Sequence, residues 1–246
     1  MPSIRRITGT LSVFVFSLVL TGCSGTGNTP AAQQDDSGTL KCTHTNKAVV
    51  IDGRVEDTWR AGTPMRLDDP ADITDPNGVE IYTLWDEQYL YVAYEVSDRQ
   101  LVGFQNERDH KALYKDDMIE VLLDPRMDRT DKWLEDDIVY HINILGQVKD
   151  DRGTEEGISD ATWDSRALFA VRFEGTLNDS TDSDRGFCVE LAIPWQEIGK
   201  QPRDGVRLGI NFAAGDAEGP EEHLWDWRGA HPFRQPTVYG TLVLKD

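Results

Sequence analysis

The chain has 246 residues, and its 44 acidic side chains outnumber 25 basic ones, for a formal net charge of −19. That excess of carboxylates excludes binding to nucleic acid or to an anionic bilayer through the protein surface, since both partners repel it. Five scattered histidines lack metal-ligand spacing, and there is no nucleophile elbow, P-loop, dinucleotide-binding glycine motif or HExxH pair.

The chain opens on a leader. Arg5 and Arg6 precede the apolar run at 11–20 (LSVFVFSLVL), which is short for a membrane span and shaped like the core of a secretory signal. It ends in Leu20-Thr21-Gly22-Cys23, which resembles a bacterial lipobox. The expectation is a signal peptide over 1–22 and a lipid on Cys23, anchoring the protein to a bacterial membrane. Ser24, where aspartate would signal inner-membrane retention, resembles an outer-membrane address. Loss of the leader removes only Arg5 and Arg6 of the charged residues, leaving 23 basic against 44 acidic side chains and a net charge of −21. Residues 23–40 are rich in Gly, Ser, Thr, Gln and Asp and read as a flexible tether. Residues 41–246 then form one β-rich domain.

Within that domain, 49–53 (VVIDG) predicts a short strand ending in a turn, and 54–60 a brief helical turn that points Trp59 inward. Residues 68–78 form a loop of Asp and Pro. The centre of the pattern is 79–97. Val79, Ile81, Thr83 and Trp85 alternate with polar or aromatic neighbours, Asp86-Glu87-Gln88 turns the chain, and Leu90, Val92, Tyr94 and Val96 alternate on the return. This period of two is a hairpin signal. A polar loop over 98–115 leads to the strand 118–123, which Asp124-Pro125 stops. Glu120 sits in the middle of that apolar strand. It needs either a basic or hydrogen-bonding partner inside the fold or a wet concave surface, because an unpaired buried charge is costly.

Ile138, Tyr140, Ile142 and Ile144 alternate with Val139, His141 and Asn143. Gly146 opens a long acidic loop to about residue 165. Strands follow at 168–174, 187–193, 208–213 and 238–244, with a short helical turn at 194–198. About nine or ten short strands and almost no amphipathic helix read as an all-β, antiparallel β-sandwich.

Cys42 and Cys188 lie in an exported chain, so a disulfide between them is permitted by the compartment, though spacing along the chain does not decide it. Asp52, Glu56, Asp57, Asp86, Asp98 and Asp124 stand at turns and strand ends, where hard oxygen ligands for calcium could converge or where they simply form turns. Glu120 and Glu190 both sit mid-strand, but a glycoside hydrolase needs two carboxylates opposed across a cleft, and no dedicated active-site loops accompany them.

Read together, Ile51-Asp52-Gly53 with Trp59, LWDEQYLYVAYEVSD, YKDDMIEVLLD, FCVELAIPW, GINFAAGD and PTVYGTLVL, in this order, resemble carbohydrate-binding module family 9 over about residues 45–246. The resemblance implies a β-sandwich with structural calcium and no catalytic activity of its own. It also implies a slot in which two aromatic rings clamp a terminal sugar. By position, one ring falls on Tyr114 and the family's glutamate on Glu120. A basic residue and an asparagine fall on His141 and Asn143, and the second ring on Phe233. The family usually carries Trp at both ring positions, and Arg where His141 stands. Trp225, Trp227 and Arg228 are substitutes if the loop register shifts. Each of these residues also has a plain structural reading, as strand-edge aromatic, loop plug or hydrogen-bonded strand residue.

The expected partners are an oligosaccharide or polysaccharide of xylan or cellulose type and a separate glycoside hydrolase, with the membrane engaged only through the lipid. Two other classes stay open. Related sandwiches resemble haem-binding redox modules with Met and His or Lys as axial ligands, a role open to Met118 and His141. A sandwich without a ligand slot would be a pure interaction module.

Overall fold

A computed structural model of the chain describes residues 38–67, 78–155, 157–218, 223–228 and 234–246. The leader, Cys23, most of the tether, most of the 68–78 loop and Phe233 lie outside the described residues.

Thirteen strands form one curled sheet: β1 (Thr39–His44), β2 (Met65–Leu67), β3 (Gly78–Trp85), β4 (Tyr89–Ser97), β5 (Met118–Asp124), β6 (Ile138–Asn143), β7 (Val148–Gly153), β8 (Ser159–Asp160), β9 (Leu168–Glu174), β10 (Gly186–Pro194), β11 (Arg207–Asp216), β12 (His223–Asp226) and β13 (Gly240–Lys245). Their order is β8-β7-β6-β5-β11-β13-β1-β3-β4-β10-β9, with β12 paired to β11 and β2 to β3. The alternation seen in the sequence decides which side is buried. Ile119, Val121 and Leu123 of β5, Val92 and Tyr94 of β4, and Val189 and Leu191 of β10 all join one core. The sheet curls so that its two halves share this core. The rings of Tyr94 on β4 and Phe212 on β11 lie 6.2 Å apart, edge to face. The Tyr94 hydroxyl crosses the layer to donate to the Glu120 carbonyl oxygen at 2.6 Å.

The central hairpin is as the alternation predicts, with Val79 opposite Val96 and Trp85 opposite Leu90. Asp86 closes it by accepting from the backbone N–H groups of Gln88 (2.7 Å) and Tyr89 (2.8 Å). Trp59, Trp85 and Trp195 are core residues. Gly186 opens β10 at φ +127°, and a Cβ there would stand 1.9 Å from the Val96 carbonyl oxygen, so only glycine lets β10 and β4 approach.

Four expectations are corrected. The sheet is mixed, not wholly antiparallel, because β1 runs parallel to both of its neighbours, β13 and β3. Its first residues, Thr39 and Leu40, belong to this strand and not to the tether. Residues 49–51 form no strand; Val49 and Ile51 pack as loop residues on a second cluster with Trp59, Tyr82 and Tyr91. The acidic stretch after Gly146 contains β7, antiparallel to β6, and β8, antiparallel to β7.

The Cys42–Cys188 disulfide is excluded. Both thiols are free. Cys42 lies on β1 and Cys188 on β10 with β3 and β4 between them, three strand spacings or about 14 Å, against a Cα limit near 7 Å for a bridge. Cys42 also faces the core, whereas the core neighbours of Cys188 are Phe187 and Val189, so Cys188 points the other way.

Candidate functional site

The outward face of β5, β6 and β7 carries the site. Glu120 pairs with His141 across β5 and β6, and His141 pairs with Lys149 across β6 and β7. Strand pairing in register places all three side chains in one row on the face opposite the core. Arg234, from the segment before β13, lies over this row. Its guanidinium binds both Glu120 carboxylate oxygens, with Nε donating to Oε2 at 3.2 Å. His141 Nδ1 lies 2.9 Å from Glu120 Oε1. An ionised carboxylate only accepts, so Nδ1 carries a proton and donates it to Glu120. Nε2 is buried and has no hydrogen-bond partner among the described residues.

Burial alone would raise the Glu120 carboxyl. The hydrogen bond and charge of His141, with those of Arg234, overcome it and hold the group at about 2. The two possibilities left open for Glu120 are therefore both realised: it has a basic partner, and it borders a concavity.

That concavity is a cavity of ≈ 250 Å³. Glu120, His141, Arg234, Tyr114 and Met118 all line it. The Tyr114 ring is 44% exposed, free to offer a face, and the Lys115 ammonium lies 6.0 Å from its centroid. Lys111, Lys149, Asp216 and His223 complete the polar lining.

Of the sequence-selected residues, Tyr114, Glu120 and His141 thus come together. Asn143 does not line the cavity. Its amide nitrogen donates to the Gln105 carbonyl (2.7 Å) and to Asp116 (2.8 Å), and its oxygen accepts from Gln147 N–H (2.7 Å), so all its capacity goes to holding the 98–117 loop and the β6–β7 turn. Phe233 lies outside the described residues, next to Arg234. Trp225 and Trp227 pack against the main core, and Arg228 stacks over Trp227 at 5.6 Å; none of the three lines the cavity. Met118 and His141 both line the cavity, and His141 Nδ1 is already committed to Glu120.

Arg234, Lys111, Lys149 and His223 escaped the sequence reading. Lys149 was legible in principle: Gly146, at φ +72°, makes a tight turn after Asn143, and a hairpin there puts Lys149 opposite His141. Arg234 is held by tertiary contacts alone.

Glu190 is a different kind of buried carboxylate. It accepts from the N–H groups of Asp52 and Gly53 and from Trp59 Nε1, each at 2.7 Å. Its strand neighbours Val189 and Leu191 and the Glu120 neighbours Ile119 and Val121 belong to the same core. Glu120 and Glu190 therefore face away from each other on opposite outer surfaces, and they form no catalytic pair.

Three acidic clusters test the fit for calcium. Asp124, Asp136 and Asp137 are all buried, with carboxylate oxygens within 4.8 Å of one another, and Asp137 Oδ1 has no hydrogen-bond partner among the described residues. Burial, with the charges of Asp124 and Asp136 added, pushes the Asp137 carboxyl up to about 7. Asp98, Asp216 and Glu218 form a second cluster beside Asp117. Burial and the Asp117 charge push Asp98 to about 8. Both are oxygen-only donor sets that a hard cation suits. The third, Asp109, Asp150 and Asp164, is already bridged by the Arg108 guanidinium at 3.4, 2.6 and 2.7 Å. Asp52 and Asp57 join no such cluster among the described residues.

Comparison with known proteins agrees with this architecture. Residues 51–246 match the model of a family described as "Carbohydrate family 9 binding domain-like". The chain is 27% identical over 201 residues to an endo-1,4-beta-xylanase A of Thermoanaerobacterium saccharolyticum, covering 79% of this chain and 15% of the enzyme. It is 25% identical over 234 residues to one of Thermotoga maritima, covering 90% of this chain and 20% of the enzyme. The chain thus spans a fifth or less of the length of these relatives. Among solved structures, a carbohydrate binding module family 9 from Caldicellulosiruptor kristjanssonii, in complex with cellotriose, superposes with a TM-score of 0.63 at 22% identity, covering 84% of this chain and 93% of that one. A putative carbohydrate-binding protein from Bacteroides uniformis superposes at 0.59 and 14% identity, covering 84% and 99%. At such identities the superpositions speak for the fold.

Proposed function

Because the chain belongs to the carbohydrate family 9 binding domain-like family, we propose that its non-catalytic domain binds the end of an oligosaccharide or polysaccharide in the cavity beside Tyr114. The observation that carries this is one constellation: an exposed aromatic ring beside a buried, fully ionised carboxylate that is cross-linked to a guanidinium and an imidazole. Sugars present C–H faces that pack on aromatic rings and hydroxyls that need placed partners. Tyr114 supplies the face. The remaining lone pairs of Glu120 receive hydroxyl hydrogens, Arg234 donates, and His141 Nε2 is a further polar atom for a hydroxyl to meet. The Glu120–Arg234–His141 network keeps these groups in place before the ligand arrives, which limits the ordering cost of binding.

On this reading the relatives suggest a glucan or xylan end as ligand and a separate glycoside hydrolase as the enzyme served. The leader and Cys23 would tether the domain to a bacterial membrane, facing the cell surface or outer membrane. Calcium at Asp124, Asp136 and Asp137, and at Asp98, Asp216 and Glu218, would neutralise crowded carboxylates and brace the strand ends.

The test is calorimetric titration of the purified full chain with glucose, cellobiose and xylobiose. Saturable binding is expected. Tyr114→Ala should cost about 1–2 kcal/mol, roughly five- to thirtyfold in Kd, with an unchanged circular dichroism spectrum. A folded protein that binds no member of a broad glycan panel would falsify the proposal.

A further inference from the structure

A second cavity, of ≈ 410 Å³, shares no lining residue with the sugar cavity. Arg129, Arg228, Thr237 and Thr241 line it together with Gly38 and Gly240, and among the described residues no carboxylate does. On a chain with 44 acidic against 25 basic side chains, two guanidiniums in such a place need a reason. The Arg129 guanidinium donates to neutral acceptors: the Tyr239 carbonyl, the Gly240 carbonyl at 3.2 Å and Thr241 Oγ1 at 2.8 Å. The Arg228 guanidinium lies over the Trp227 ring at 5.6 Å, and its Nε is buried with no hydrogen-bond partner among the described residues. Asp124 and Asp226 accept from the backbone N–H groups of Arg129 and Arg228, each at 3.1 Å, and neither carboxylate pairs with either guanidinium.

The backbone is shaped to bring the two arginines together. The Gly38 carbonyl accepts from Thr241 N–H at 2.8 Å, so Gly38 and Gly240 lie side by side. A Cβ on Gly38 would stand 2.4 Å from Arg228 Nη1, and one on Gly240 would stand 2.1 Å from the Trp227 ring. Glycine at both positions therefore seats Trp227 and Arg228 on the same seam that Arg129 holds through the Gly240 carbonyl. Like charges gathered there repel, and an anion in the cavity removes that cost. Donors are left for it. They are the side-chain N–H groups of Arg228 and the Thr241 hydroxyl, whose oxygen already accepts from Arg129. One guanidinium fork satisfies the two oxygens of a carboxylate, whereas a phosphate has further oxygens and accepts from several sides.

We infer that this second cavity binds a phosphate group, with Arg228 as its main ligand and Arg129 and Thr241 around it. The site does not depend on the carbohydrate-binding reading. Gly38 is where the stretch from Cys23 enters the domain. The phosphate therefore has two sources: a soluble phosphate compound or, with a lipid on Cys23, the headgroup of a neighbouring phospholipid.

The experiment titrates the full chain carrying Cys23→Ala, which removes the lipid acceptor, with inorganic phosphate and with acetate at constant ionic strength. Calorimetry and the shift in Tm are the readouts. Phosphate is expected to saturate the site and to raise Tm, with acetate about tenfold or more weaker. Arg228→Gln should keep the fold, since no described residue pairs with its guanidinium, and should lose about tenfold or more in phosphate affinity. Arg228→Lys, which keeps the charge without the planar fork, should recover only part of that loss. Cosedimentation with vesicles of phosphatidylcholine and phosphatidylglycerol separates the sources. Vesicle binding that free phosphate competes away assigns the headgroup, and phosphate binding without vesicle binding assigns a soluble compound. No saturable phosphate effect, or one unchanged in Arg228→Gln, overturns the inference. Acetate binding as tight as phosphate overturns the choice of anion. Asp35 and Asp36 precede Gly38 in the chain; phosphate binding that appears only with Asp35→Asn and Asp36→Asn would mean that the chain's own carboxylates fill the cavity, and overturns the inference too.

Discussion

Two glutamates show how burial alone fails to predict a carboxylate's behaviour. Glu120 and Glu190 are both 1% exposed or less and both mid-strand. For Glu120 burial raises the pKa, but a guanidinium and an imidazole reverse the sign, so it is ionised across the working range. Its contribution to stability is present above the ordinary carboxylate pKa and is lost as pH falls toward about 2. For Glu190 burial raises the pKa and three neutral N–H donors only moderate it, so the net shift is upward. Glu190 thus acts as a clamp, tying residues 52–53 and Trp59 to β10. Glu190→Gln should lower stability by about 1.5–3 kcal/mol, since the amide nitrogen would face donors in place of an acceptor. Because Glu190 faces away from the cavity, sugar affinity should not move. Urea unfolding beside calorimetry checks this; a loss under about 0.5 kcal/mol would mean that water replaces the clamp.

At the scale of elements, β1 and β7 were hidden in the sequence for different reasons. β7 reads VKDDRG, a sequence of turn formers, yet it pairs along its length with β6. Its charges are met locally: Asp150 by Arg108 and by Ser165 N–H, Lys149 by Asp151. Tertiary pairing supplies what β-propensity does not. β1 is the seam between the two halves of the sheet, and its parallel pairing to β13 and β3 depends on chain segments far apart in sequence. A chain beginning at Thr45 would lose both pairings and the buried Cys42, with Leu40 packed beside it. It should lose several kcal/mol, a fall in Tm of about 10 °C or more, relative to one beginning at Ala31. Equal melting temperatures would show that β1 adds nothing to the fold.

For the whole molecule the leading question is how so many carboxylates are tolerated. The net charge is −19, and burial, with the charges of neighbouring carboxylates added, pushes Asp98, Asp117 and Asp137 up to about 8, about 7 and about 7. A carboxyl whose folded pKa lies above its unfolded value binds a proton more readily when folded. Stability in chelator should therefore fall as pH rises from about 4 through 8, the window between the ordinary and the raised pKa values. Calcium should reverse this, raising Tm more at pH 8 than at pH 5, because it binds the ionised form that the raised pKa values disfavour. Differential scanning calorimetry at both pH values, in calcium and in chelator, checks both signs. A Tm that ignores calcium at pH 8 would leave the clusters as shared-proton networks.

What the sequence determined by itself was the strands with a clear alternation. The period of two in 79–97, 118–123, 138–144 and 187–193 set the strands and the buried side of each, because side chains on a strand alternate between faces. It singled out Glu120 as a charge that needed an explanation, and the ordered set of strand motifs led to the family. Only the tertiary structure decided which residues meet. Arg234 reaches Glu120 across 114 positions of chain, Asn143 is spent on loop contacts, and Cys42 and Cys188 are held on separate strands with opposed faces. None of these follows from spacing, because partner choice depends on strand order and on the curl of the sheet. Both are set by long-range pairing, a property that no single segment carries.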